Sequence, residues 1–131
     1  MVIDTSAFVA IFLGEPERQL LLAAVLNAEN RSVSAANVLE TGVVLEAKRG
    51  EAAGREFDLF LVRTGVRIVP VDEDQVEIAR SAWRNFGKGR HRAGLNFGDC
   101  FAYALAKSSG DILLAKGEDF RLTDVELCPP E

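Results

Sequence analysis

Seven consecutive apolar residues, Cys100 to Ala106, constrain this chain more than any other stretch. All are acceptable in a helix, the run is closed by Ser108-Ser109-Gly110, and a helix apolar on every side belongs in an interior. It opens on an acid, Asp99, behind the turn residue Gly98. An Asp at a helix start caps orphan N–H groups and gains from the positive end of the dipole. The alternative is that a buried helix holds one carboxylate rigidly at the mouth of a site. Which reading applies depends on whether other acids converge there.

In chain order, Met1-Val2-Ile3 is a short apolar strand that runs into Asp4-Thr5-Ser6. Phe8, Ile11 and Phe12 then fall at helical spacing, stopped by Gly14. Glu15-Pro16-Glu17 starts a second helix with Leu20, Leu21, Ala24 and Val25 as its apolar stripe. Arg31 to Ser34 reads as a strand. Ala35 to Arg49 reads as a helix with Val38, Leu39, Gly42, Val43 and Leu45 inward, Glu40 at its middle and Gly50 as its stop. A helix from about Glu51 to Arg63 packs on Phe57, Phe60 and Leu61. Val66 to Val69 is a β-branched strand closed by Pro70. Asp72 caps the next helix, with Gln75 at the capping-box position and Val76, Ala79, Trp83 and Phe86 as the expected inner face. Ile112 to Ala115 is an apolar strand, and Val125 to Leu127, before Pro129-Pro130, is a candidate for one more.

Short apolar strands alternating with helices predict an α/β fold. The expected architecture is one domain, 1–131, with a mainly parallel sheet of four to five short strands flanked by helices. The net charge of −5 excludes a uniformly basic nucleic-acid binder but not a local basic patch. The two cysteines, Cys100 and Cys128, lack CxxC spacing, which argues against zinc and for small buried hydrophobes. No leader pattern is visible, and no apolar run approaches the roughly 20 residues of a membrane span. The expectation is a soluble cytoplasmic protein with no membrane partner.

In open parallel sheets, ligands sit beyond the carboxyl ends of the strands. Asp4 ends the first strand, Glu40 lies in the helix after the second, Asp99 opens the helix before the fourth, and Glu118 and Asp119 follow that strand. Two carboxylates ~4 Å apart repel by about 4 kcal/mol at an effective dielectric of about 20. A convergent set therefore requires cations or raised pKa values. Oxygen-only donors without a His/Cys set favour Mg²⁺, with Mn²⁺ as an alternative. A metal-activated water attacking a phosphodiester in line suits such a site.

The segments Val2-Ile3-Asp4-Thr5-Ser6-Ala7, Glu40, Leu95-Asn96-Phe97-Gly98-Asp99-Cys100-Phe101-Ala102-Tyr103-Ala104 and Leu114-Ala115-Lys116-Gly117-Glu118-Asp119-Phe120 resemble the PIN domain. More closely, they resemble the VapC-type toxin ribonucleases of bacterial toxin–antitoxin pairs, over nearly the whole chain. The resemblance implies a three-layer PIN-like fold and a magnesium-dependent endoribonuclease with a four-acid pocket. It also implies a homodimer silenced by a VapB-type antitoxin and an RNA substrate such as tRNA or rRNA. Asp4, Glu40 and Asp99 match the family's acids. The fourth must come from Glu118 or Asp119, with Asp119 preferred, because the position three before Phe120 is Gly117. Thr5 or Ser6 would orient a metal water or a phosphate. Early helices, here the Leu20–Val25 stripe with the helix after Glu51, form the antitoxin groove in this family.

Gly87 to Gly94 is a glycine-rich loop carrying Lys88, Arg90, His91 and Arg92, with Arg92 where relatives often carry Pro. A solvated loop is the default; gripping RNA phosphates through Lys88, Arg90 and Arg92 is the alternative. A general-base role for His91 is not required by metal chemistry, and Tyr103 and Trp83 are expected to pack rather than stack on bases. Two other classes fit less well. A non-catalytic module that only binds an antitoxin-like protein would not need the intact acid set. A phosphatase using Asp4 as nucleophile would favour an acid at position 6, where Ser6 stands.

Overall fold

The structure, a computed structural model, describes residues 1–129. The elements are β1 (Val2–Ile3), α1 (Thr5–Phe12), α2 (Arg18–Asn27), β2 (Ser32–Ser34), α3 (Ala35–Arg49), α4 (Glu51–Arg63), β3 (Arg67–Val69), α5 (Glu73–Phe86), α6 (Phe97–Ser109) and β4 (Leu113–Leu114), followed by a 3-10 turn at Asp119–Leu122. The four strands pair in parallel in the order β3-β2-β1-β4. The expected final strand is reduced to a single bridge between Leu113 and Leu127, so among the described residues the sheet has four strands and no full fifth. Pro130, at the end of that stretch, lies outside the described residues.

Alternation along strands makes three layers from very short elements. Ile3, Val33 and Leu114 face one side, where Phe8, Val25, Leu45 and Phe57 complete a core. Val2 and Leu113 face the other, packed by α5 and α6 through Ala82, Leu95, Ala102 and Leu105. Every connection joining parallel neighbours passes through helices, as parallel pairing demands. Among the described residues, no helix is long and apolar enough to cross a membrane.

Two expected helix faces turn out rotated, and one residue of a third turns outward. In α3, Leu39 and Val43 are 70% and 58% exposed, whereas Asn37, Thr41 and Leu45 are fully buried. The sequence reading assigned the inward face by hydrophobicity, but α3 turns two polar side chains inward. In α5, Val76 and Trp83 point out, and Gln75 and Ala82 are buried with Ile78, Ala79 and Phe86 packed alongside. The Gln75 side chain donates to Pro70 O at 3.1 Å, which draws this polar residue inward. Helix α2 begins at Arg18, after Pro16, and exposes Leu20 while burying Leu21 and Val25. In α6 every residue of the apolar run except Phe101 is buried, and the helix ends at Gly110 in the left-handed conformation (φ 66°). Tyr103 is packed as expected, its hydroxyl donating to Asp124 at 2.5 Å.

Candidate active site

Asp4 sits where β1 ends and α1 begins, and it is the N-cap of α1. Its Oδ2 accepts from the Ser6 N–H at 3.0 Å, capping α1. Its Oδ1 is buried without a hydrogen-bond partner. The residue is only 2% exposed. Burial raises its pKa from 3.8 to about 6, the hydrogen bonds with Ser6 oppose the rise, and the charge of Glu40 adds to it. An orphaned buried oxygen on a capping carboxylate is costly unless something binds it.

Asp99 is not the cap of α6 but the third residue of its capping box. Asn96 is the cap: its side chain accepts from the Asp99 N–H at 2.9 Å, and Asp99 Oδ2 accepts from the Asn96 N–H at 3.0 Å. The box fixes the Asp99 side chain at the helix entrance. Burial pushes its pKa up to about 7, against the hydrogen bond from Asn96, with further upward contributions from Asp4, Asp119 and Glu40. Asp4 just after β1, Glu40 of α3 and Asp119 of the 3-10 turn therefore all act on Asp99 of α6.

Glu40 is held by contacts that the sequence reading missed. Asn37, one turn earlier on α3 and fully buried, donates its side-chain amide to Glu40 Oε1 at 3.2 Å and to Gly98 O at 3.1 Å. Thr5 Oγ donates to Asn37 O at 3.4 Å. The i−3 spacing of Asn37 to Glu40 was the available signal. Gly98 matters for a second reason: a Cβ there would lie 2.1 Å from Glu40 Oε2. Glycine lets the α6 entrance close directly on the Glu40 carboxylate.

The two candidates for the fourth acid separate. Asp119 contributes to the field at Asp99. Glu118 instead pairs with Arg121 at 3.2 Å and borders a groove between α2, β4 and the C-terminal segment. Ser6 Oγ accepts from the Lys116 N–H at 2.9 Å, tying the end of β1 to the segment after β4. Thr5, engaged with α3, is buried.

The basic loop is anchored to the α6 entrance by Lys88 N–H to Leu95 O and Leu95 N–H to Phe86 O, both 2.9 Å. Lys88, Arg90 and Arg92 are exposed. His91 shapes the loop: its Nδ1 accepts from the Ala93 N–H at 3.0 Å, and its ring meets Phe86 edge-on. Trp83 departs from its expected packing role, being 48% exposed with Arg90 over its ring at 4.6 Å.

The donor set is carboxylate oxygen throughout, with Asp4 and Asp99 raised by burial and one orphaned buried oxygen on Asp4, which fits a hard divalent cation. Among the described residues, no three acid, His or Cys side chains form a ready-made metal-holding group. What the acids share in this structure is a common field rather than a closed ligand cage.

Residues 1–126 match the PIN domain. A ribonuclease VapC from Mycolicibacterium smegmatis is 60% identical over 125 residues, spanning 95% of this chain and 97% of its own. Among solved structures, Mycobacterium tuberculosis VapC20, described as a sarcin–ricin loop cleaving toxin, superposes with a TM-score of 0.80 at 21% identity, covering 98% of both chains. A chain of a toxin–antitoxin complex from Klebsiella pneumoniae gives 0.72 at 18% identity, covering 99% of this chain and 98% of that one. The structural likenesses carry the fold, and the sequence likeness carries the kinship. The chain belongs to the PIN-domain family, among its VapC ribonucleases.

Proposed function

We propose that this protein is a Mg²⁺-dependent endoribonuclease, the toxin of a VapB-controlled pair, with Asp4, Glu40, Asp99 and Asp119 as its metal-holding acids. The observation that carries the reading is the buried, unpartnered Oδ1 of Asp4 beside Glu40, with Asp4, Glu40 and Asp119 all acting on Asp99. Mn²⁺ suits the same oxygen donors. When bound, a divalent cation supplies an acidified water and neutralises charge building on the phosphate.

The chain's own residues do the remaining work. Asp4, through the Ser6 N–H, and Asp99, through its capping box, keep two carboxylates fixed at two helix entrances. Asn37 and Gly98 fix the third, Glu40. Ser6 or Thr5 orients a water or a phosphate oxygen beside Asp4. Lys88, Arg90 and Arg92 hold neighbouring phosphates of the RNA strand, for which tRNA and rRNA are the classes the family suggests. Glu118 has no place in this arrangement. The groove of about 540 Å³ bordered by Leu20, Leu21 and Ala24 of α2 is the proposed seat of the antitoxin, and a homodimer is the proposed assembly in the cytoplasm.

The test is digestion of total RNA by antitoxin-free protein in Mg²⁺, in Mn²⁺ and in EDTA. Discrete fragments that require the metal are expected. Cleavage surviving EDTA would overturn the metal mechanism, and no cleavage of any RNA by folded protein would favour a binding module.

A further inference from the structure

Two large aromatic side chains flank the basic loop where a core would normally take them. Trp83 stays 48% exposed even with Arg90 against its ring, and Phe97, in the first turn of α6 two residues before Asp99, is 81% exposed. Phe97 is touched edge-on by Phe101 at 4.9 Å between centroids. Both are anchored to the site's scaffold. Trp83 lies one turn before Phe86, which packs on Tyr103 of α6 and on His91 of the loop. Phe97 follows the residue that caps α6 and fixes Asp99.

The charge around them is as uneven as their exposure. From Ile78 to Gly98 the chain carries five cationic residues, Arg80, Arg84, Lys88, Arg90 and Arg92, and no acid, within a protein of net charge −5. All five are exposed, and none forms an ion pair among the described residues. Exposed aromatics interleaved with unpaired cations match single-stranded nucleic acid, whose bases offer π-faces and whose phosphates offer charge. A protein partner would match the aromatics, but a surface of five unopposed cations selects a polyanion.

Resting on the ribonuclease reading, we propose that Trp83 and Phe97 are stacking platforms for unpaired RNA bases on either side of the basic loop, so that the enzyme engages its substrate as a splayed single strand. Phe97 holds a base next to the cut phosphate, and Trp83, with Arg90 on its ring, holds one further along the strand. Recognition of this kind tolerates many sequences and rejects continuous duplex, whose bases are already stacked.

Trp83 is the protein's single tryptophan, so its fluorescence reports the contact directly. The experiment titrates Asp4→Asn protein, which leaves the strand uncut, with oligouridylate, oligoadenylate, an abasic analogue of equal charge, and a duplex. Quenching by the two single strands, but not by the abasic analogue or the duplex, is the expected result. Affinity for the single strands, followed by a label on the RNA, should fall about 10-fold in Trp83→Leu and in Phe97→Leu, within the range of one lost base stack. Equal quenching by the abasic strand, or unchanged affinity in both variants, would overturn the proposal. Metal-dependent cleavage by otherwise wild-type protein is scored separately. Its absence would sink the nuclease reading, whereas its presence with unaffected stacking variants would sink this inference alone.

Discussion

Gly98 and Glu40 meet so closely that one methyl group on Gly98 would sit 2.1 Å from Glu40 Oε2. The neighbour is a side-chain carboxylate, so a Gly98→Ala protein can fold by pushing it aside. Alanine in a helix also gains up to about 1 kcal/mol over glycine. Stability should therefore change by less than about 1 kcal/mol, while RNA cleavage drops at least about tenfold. A thermal melt beside a cleavage assay checks this; equal losses in both would mean that Gly98 serves packing alone.

Asn37 should behave differently from an ordinary core asparagine. Asn37→Asp removes the amide donors to Glu40 and Gly98 and places a like charge against Glu40. Asn37→Ala removes the donors alone, at about 1–3 kcal/mol for a buried polar contact. Cleavage should fall further in the Asp variant, and raising Mg²⁺ should restore part of the loss in the Ala variant. Equal activities in the two would separate Asn37 from the placement of Glu40.

Much of the fold is legible in the sequence, and the exceptions have different causes. The bounds of α3 and α4 follow from their apolar spacing and from Gly50, and the burial of α6 follows from an apolar run that gives it no solvated face. The rotated faces of α3 and α5 were not legible. Asn37 and Thr41 face inward on α3, and hydrophobic periodicity cannot see a helix that turns polar side chains inward. The same blindness hid Trp83: its spacing is that of a core residue, and its exposure depends on where the basic loop folds back. Asp4, Glu40 and Asp99 stand out in the sequence because each lies at an element boundary or mid-helix among apolar residues. Glu118 and Asp119 differ in surroundings because of the 3-10 turn at Asp119–Leu122, which no periodicity announces.

That difference gives a clean comparison. Asp119→Asn should lower cleavage by at least about tenfold, because Asp119 shares the field at Asp99. Glu118→Gln should leave cleavage within about twofold, because it breaks only an exposed pair with Arg121. The reverse ranking would reassign the fourth acid.

The raised pKa values of Asp4 and Asp99, about 6 and about 7 against 3.8, fix the sign of the pH dependence without metal. Between pH 4 and pH 7 the folded state binds more protons than the unfolded one, so stability falls as pH rises through this window. For Asp4 alone the full fall is about 3 kcal/mol. In EDTA, denaturant midpoints should decline from pH 5 to pH 7.5, and Asp4→Asn should flatten the decline. Protons and metal compete for the same oxygens, so Mg²⁺ affinity should rise over the same interval. A stability profile that climbs towards pH 7.5 would contradict the burial of these acids.

The most direct measurement is cleavage of one defined RNA substrate in Mg²⁺ by the wild type, Asp4→Asn and Asp99→Asn. Both variants remove a charge that burial disfavours, so in EDTA at pH 7.5 neither should melt below the wild type, and lost activity cannot be ascribed to unfolding. The expected result is cleavage by the wild type and a loss of at least about a thousandfold in each variant, on the order of 4 kcal/mol of transition-state stabilisation. Undiminished cleavage by either folded variant would contradict the claim that these carboxylates hold the metal that cuts RNA.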